Sequence, residues 1–143
     1  MEVKIYFDGA CDNARAAIMG IGVAVVINNQ REEDYDIAAN KGHGTSNRAE
    51  YLAIISAYNV AKVLHEKYGN KIESIKIFGD SQLIINQVTG LWRCKQDLLQ
   101  PLLKKAIDAR GAVGRRCQLG WLRREFNTEA DKLSKAGLLK NKK

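Results

Sequence analysis

The chain has 143 residues, 45% of them apolar and only one proline, which excludes a disordered or low-complexity protein and allows one domain whose core needs no disulfides. Lysine and arginine total 23 against 16 acids, and this net charge of +7 suits a polyanionic partner. The excess gathers in Arg115-Arg116, Arg123-Arg124 and residues 140–143, although charge alone fits a solvated basic surface equally well.

Residues 2–8 alternate, with Val3, Ile5 and Phe7 on one side and Lys4, Tyr6 and Asp8 on the other, which predicts a strand closed by Asp8. Residues 20–27 form a second strand, β-branched and almost wholly apolar, as befits one covered on both faces. After the polar turn Asn28-Asn29-Gln30, residues 31–39 return as a third strand, antiparallel to the second because the loop is so short. Gly42-His43-Gly44 breaks the pattern, and Thr45 or Ser46 can cap a helix that runs to about Lys67 and stops at Gly69-Asn70. Ala49, Ala53, Ala57, Val60, Ala61 and Leu64 form its buried stripe, with Glu50 beside it.

Residues 72–79 predict a fourth strand, parallel to the first because a helix connects it to the sheet. A short helix over residues 81–88 follows, and Leu98, Leu99, Leu102, Leu103, Ala106 and Ile107 mark another between Asp97 and Ala109. Residues 116–122 alternate as a fifth strand that holds Trp121 in the core, and Asn127 or Thr128 caps a closing helix through about Leu139. The order βββαβααβα defines an α/β fold, a mixed five-stranded sheet with its first three strands antiparallel and helices on its faces. Residues 1–139 are read as one domain and residues 140–143 as a basic tail.

Cys11, Cys94 and Cys117 are odd in number, widely spaced and without metal-ligand spacing, so they read as reduced thiols, small and buried. The N-terminus enters a strand pattern directly, so neither a signal peptide nor a membrane span is expected. A cytoplasmic monomer without membrane contact is the corresponding default.

Four acids stand where elements begin or end: Asp8 after the first strand, Glu50 one turn into the long helix, Asp80 after the fourth strand and Asp131 at the start of the last helix. Drawn to within about 4 Å, they would repel by roughly 4 kcal/mol per pair at an effective dielectric of 20. Two divalent ions would neutralise them, and Mg²⁺, with Mn²⁺ as the alternative, suits oxygen ligands shared with substrate phosphates. Singly, each acid also reads as a turn former or a partner of a helix dipole. Phe7-Asp8-Gly9 and Phe78-Gly79-Asp80-Ser81 nevertheless repeat one device, an acid placed after an apolar strand. Neighbouring parallel strands would present both at the same sheet edge, where α/β folds hold their ligands.

In these stretches the chain resembles the type 1 ribonuclease H family over nearly its whole length. The resemblance is carried by Phe7-Asp8-Gly9-Ala10, Thr45-Ser46-Asn47-Arg48-Ala49-Glu50, Asp80-Ser81-Gln82-Leu83-Ile84-Ile85-Asn86 and Asn127-Thr128-Glu129-Ala130-Asp131-Lys132-Leu133-Ser134. It implies metal-dependent cleavage of the RNA strand of an RNA–DNA hybrid, leaving a 3′-hydroxyl and a 5′-phosphate. Asp8, Glu50, Asp80 and Asp131 would be the catalytic, metal-binding acids. Asn13, Ser46 and Asn47 resemble residues that touch 2′-hydroxyls and base edges in the minor groove. Thr45 is similar to a residue that holds a DNA phosphate, with helix capping as its other reading.

Two departures from the family pattern stand out. Many relatives carry a histidine in a loop before the last catalytic acid, where this chain has Leu122-Arg123-Arg124-Glu125-Phe126, and Arg124 or Glu125 is the available substitute. The extra basic helix of some relatives has no room between Gly90 and Asp97, so Trp92, Arg93 and Lys95 are left as a smaller substrate handle. The same fold could also act on double-stranded RNA or DNA junctions, or bind hybrids without cutting them.

Overall fold

The computed structural model describes residues 1–12, 18–38, 44–114 and 117–141; Gly42, His43, Arg115, Arg116, Lys142 and Lys143 lie outside these. Three strands come first: β1 (Glu2–Asp12), β2 (Ile18–Ile27) and β3 (Gln30–Ala38). Then follow α1 (Ser46–Tyr68), β4 (Ser74–Gly79), α2 (Gln82–Val88), α3 (Gln100–Val113), β5 (Cys117–Trp121) and α4 (Thr128–Asn141). The strands form one mixed sheet in the order β3-β2-β1-β4-β5. β2 runs antiparallel to β1 and β3, while β4 is parallel to β1 and β5.

Local chemistry sets these boundaries. Asn28 and Asn29 both take positive φ, 52° and 66°, so the β2–β3 connection is a tight two-residue turn and Gln30 already belongs to β3. Thr45 caps α1 by accepting the Arg48 N–H at 3.0 Å, and Gly69, at φ 53°, ends the helix. Ser81 caps α2 in the same way through the Ile84 N–H. The third helix begins later than its leucines suggested. Asp97–Leu99 is a single 3₁₀ turn, and Leu98 is 91% exposed rather than part of the buried stripe.

β1 is also longer than its alternation implied, and Asp8 lies within it rather than at its end. Pairing with β4 stops at Tyr6↔Phe78, whereas pairing with β2 continues from Asp8↔Gly22 to Asp12↔Ile18. Asp8 therefore marks the point where β1 parts from β4. The apolar pattern ends there because one of the two flanking strands ends there.

On one side of the sheet, Val3, Ile5, Phe7, Ile75 and Ile77 meet α1 and are fully buried or nearly so. The helix turns Ala49, Ala53, Ala57 and Ala61 toward them, all buried, and these small side chains let its backbone sit close to the sheet. On the other side α4 lies across β2, with β1 and β3 flanking it. This contact is tight enough that a Cβ on Gly22 would lie 2.2 Å from the Ala130 carbonyl oxygen and 2.5 Å from the Ser134 nitrogen. Backbone cannot yield as a side chain does, so overpacking here displaces the whole helix. Gly22→Ala is expected to cost about 2 kcal/mol or more and to lower the thermal unfolding midpoint by several degrees. An unchanged midpoint in a calorimetric scan would show that α4 does not depend on this contact.

Candidate active site

The parting of β1 from β4 opens a cleft between Asp8 on the first strand and Asp80 just after the fourth. α1 delivers the third acid, since Glu50 follows Ala49 on the face pressed to the sheet. Gly9 allows that approach, because a Cβ there would lie 2.3 Å from the Ala49 carbonyl carbon. Its N–H donates to Glu50 Oε1 at 2.6 Å and fixes the carboxylate. Carboxylate oxygens of Asp8, Glu50 and Asp80 all lie within 4.8 Å of one another.

Two further groups hold this arrangement. Asn127 is buried, and its Nδ2 donates to the Phe7 carbonyl at 2.9 Å and to Asp80 Oδ2 at 3.1 Å. The sequence offers Asn127 or Thr128 as the cap of α4, but Asn127 Oδ1 accepts no hydrogen bond, and its amide instead ties the start of α4 to β1 and Asp80. The Trp121 indole N–H donates to the Asp80 carbonyl at 3.1 Å, and the ring is 46% exposed, so the expectation of a core tryptophan is corrected. β5 is an edge strand, and alternation along an edge does not guarantee that both faces are covered.

Burial lifts the Asp8 carboxyl from the usual 3.8 to about 6; the Glu50 hydrogen bond opposes the rise, and Asp80 and Asp131 add to it. Glu50 is pushed well above the ordinary glutamate range, first by burial and then by its hydrogen bond to Asp8 and that group's charge, while the Gly9 N–H counteracts the shift. Glu50 Oε2 is buried and has no hydrogen-bond partner. An orphaned, inward-facing oxygen in an all-carboxylate donor set fits a hard divalent cation.

Asp131 lines the same cavity, of about 440 Å³, but does not belong to the close triplet. Its Oδ2 is 3.0 Å from Lys135 Nζ, one helical turn along α4. Ser46 and Asn47, at the first turn of α1, also line this cavity. Arg124 does too, whereas Glu125 is paired with Arg123 at 3.8 Å. The i,i+4 spacing of Asp131 and Lys135 was the available signal for the lysine, which sequence reasoning passed over.

Thr45 combines its capping role with a place in a separate cavity of about 290 Å³, shared with Arg48, Gln96, Leu98 and Leu99. Trp92, Arg93 and Lys95 are exposed on the segment between α2 and the 3₁₀ turn and do not line the acidic cavity. That segment is anchored by Cys94, which is buried and whose carbonyl accepts from Gln100 Nε2 at 2.6 Å. Asn13 lies outside the described residues. Cys11 and Cys117, expected to be buried, are only partly so.

A family model described as reverse transcriptase-like matches residues 6–137. The chain belongs to the ribonuclease H family. It is similar to ribonuclease H1 of the halophilic archaeon Halobacterium salinarum, with 26% identity, a TM-score of 0.78, and coverage of 98% of this chain and 99% of that one. LC11-RNase H1, solved in complex with an RNA/DNA hybrid, shares the fold with a TM-score of 0.84 at 22% identity over 99% of each chain. The uncharacterized protein YpeP of Bacillus subtilis is 29% identical over 136 residues, which are 94% of this chain. The chain spans 58% of the length of that curated relative. Within the family, this member has neither a histidine between Trp121 and Asn127 nor a helix between α2 and the turn at Asp97.

Because both raised acids favour their neutral forms, ionising them opposes folding. The stability Asp8 contributes is full below pH 4 and is lost as pH rises through about 6, and Glu50, raised in the same direction, adds a loss of the same sign. In EDTA the melting temperature should therefore fall between pH 4 and 7.5, with Asp8 accounting for at most about 3 kcal/mol. Asp8→Asn should flatten that fall, and millimolar Mg²⁺ should raise the parent's melting temperature far more at pH 7.5 than at pH 4. Identical pH slopes for parent and variant would mean that the carboxylates are solvated and independent.

Proposed function

We propose that this chain is a metal-dependent endonuclease that hydrolyses the RNA strand of RNA–DNA hybrids, leaving a 3′-hydroxyl and a 5′-phosphate. The observation that carries the reading is the convergence of Asp8, Glu50 and Asp80 within 4.8 Å, with the second Glu50 oxygen unpaired. Family membership and the likeness to ribonuclease H1 of Halobacterium salinarum support it. So does the hybrid held by LC11-RNase H1, as a guide to the kind of duplex this fold accommodates.

In this reading Asp8, Glu50, Asp80 and Asp131 hold Mg²⁺, or Mn²⁺, as two ions. When bound, such a pair supplies an activated water and a counter-charge for the leaving oxygen of the phosphodiester. Gly9 and Asn127 keep Glu50 and Asp80 aimed inward, so little reorganisation remains when substrate arrives. Ser46 and Asn47, on the cavity wall, with Asn13, read 2′-hydroxyls and base edges in the minor groove. Thr45 holds a phosphate of the DNA strand, and Trp92, Arg93 and Lys95 contact the duplex further out. Residues 1–139 act as one catalytic domain and residues 140–143 as a basic tail, although α4 itself runs to Asn141. Among the described residues no helix is long and apolar enough to cross a membrane. A cytoplasmic location and a monomeric state complete the proposal as its defaults.

Arg124 is the better substitute for the absent histidine, since it lines the cavity while Glu125 is engaged with Arg123. Arg124→Ala should lower kcat by about tenfold to a hundredfold with a much smaller change in KM. Equal effects on both parameters would make it a binding residue only.

The decisive assay offers labelled hybrid, double-stranded RNA and a DNA junction to the purified protein, each with Mg²⁺ and with EDTA. Hybrid should be cut, EDTA should stop the reaction, and Asp80→Asn should leave binding intact while abolishing cleavage. Cleavage of double-stranded RNA or of the junction in preference to hybrid would transfer the site to that substrate. EDTA-indifferent binding without cutting would leave a hybrid-binding module.

A further inference from the structure

The sheet face on the α4 side is only partly covered. α4 lies over β2, β1 and β3, and beyond it β1, β4 and β5 present two rows of side chains. Register pairing sets Lys4, Lys76 and Gln118 side by side in one row and Tyr6, Phe78 and Gly120 in the next. The Tyr6 and Phe78 rings stack with centroids 5.5 Å apart, and Phe78 lies over Gly120, where a Cβ would come within 3.1 Å of it.

The polar row carries an unresolved charge. Like charges directly opposite each other on paired strands are destabilising, yet Lys4 and Lys76 are such a pair. Glu2 offsets Lys4 at 3.5 Å, and Lys76 has no ion-pair partner among the described residues. An anion lying along this row would reverse the cost.

Beside the aromatic row is a cavity of about 120 Å³ lined by Tyr6, Ala24, Val26, Phe126 and Glu129. Phe126 lines this cavity and is 67% exposed, so its ring is accessible to a ligand there. Asn127 lines the same cavity while its amide holds Asp80, so one side chain links this slot to the acidic site. The two rows are two residues apart along each strand, about 6.6–6.8 Å, within the reach from a base to its own phosphate.

We propose that this face is a docking site for single-stranded nucleic acid, which inserts a base between Tyr6 and Phe126 and rests its phosphates on the Lys4–Lys76 row. A duplex keeps its bases stacked inside and cannot fill the slot. The occupant is thus the unpaired strand that flanks a hybrid, a step that rests on the function proposed above, whereas the binding itself does not. An acidic protein segment would satisfy the lysines but would leave the aromatic-walled slot without a flat partner.

Fluorescence anisotropy on the full chain in EDTA, where nothing is cut, tests this with a labelled single-stranded DNA 12-mer. A second probe carries abasic sites throughout and so keeps the phosphates without the bases. The intact strand should bind at least about fivefold more tightly than the abasic one. Phe126→Ala should remove that difference, and Lys76→Glu, or the milder Lys76→Gln, should weaken both probes while melting like the parent and cutting a blunt hybrid at the parent's rate. Equal affinity for the two probes, variants that bind as the parent does, or displacement by polyglutamate as effective as by oligonucleotide would each overturn the proposal. A protein that shows this binding but cuts no hybrid would sink the nuclease reading and leave the docking site standing.

Discussion

Carboxylates within 4.8 Å of one another repel, and much of the surrounding structure serves to hold Asp8, Glu50 and Asp80 together. At an effective dielectric of 20 each ionised pair costs about 3–4 kcal/mol, against a net stability of about 5–15 kcal/mol for a typical domain. Such a cluster cannot be built on loops. Two of the acids come from, or directly follow, adjacent parallel strands and the third from a helix seated on those strands through alanines. Part of that repulsion shows as the raised proton affinity of Asp8 and Glu50, where burial and the neighbouring carboxylates oppose ionisation.

The elements were legible in the sequence because their signals are local. Alternation along β1, the alanine stripe of α1 and the caps at Thr45 and Ser81 each depend on a few neighbouring residues. Two of the convergent acids, Asp8 and Asp80, were legible for a related reason, since an acid after an apolar run is a local feature whose partner lies at the same edge, and Glu50 was legible from its place beside the alanine stripe of α1. What could not be read was anything set by a neighbour distant in sequence. β1 continues past Asp8 because β2 remains beside it after β4 has ended. Asn127 faces Phe7, 120 residues away, and nothing in its own surroundings distinguishes a tie of that kind from a cap. Trp121 alternates as a core residue would, but it stands on an edge strand.

Asp131 differs from the other three in how it is held. The triplet rests on the core between α1 and the sheet, whereas Asp131 depends on α4, whose seat is the close backbone contact at Gly20 and Gly22. Its companion Lys135 is largely exposed, and exposed ion pairs contribute little to stability, so the carboxylate can be drawn away at small cost. The site thus combines a rigid part, fixed before any ligand arrives, with one carboxylate that can adjust. That division suits chemistry in which charge moves between an attacking and a leaving oxygen.

A chain of net charge +7 with an acidic cavity faces a contradiction that charge arithmetic alone does not resolve. Long-range attraction brings a polyanion to the surface, and short-range repulsion from the carboxylates keeps its phosphates out of the cleft. Arg124 and Lys135 soften the rim, but two side-chain cations cannot offset four acids. A divalent cation bound by the triplet would address both problems together, because the charge that favours the ionised form of Asp8 and Glu50 would also let a phosphate approach them. On the function proposed above, substrate entry and the folded-state cost of the cluster would be governed by the same occupancy, which would tie the stability of the metal-free protein to the chemistry of the loaded one.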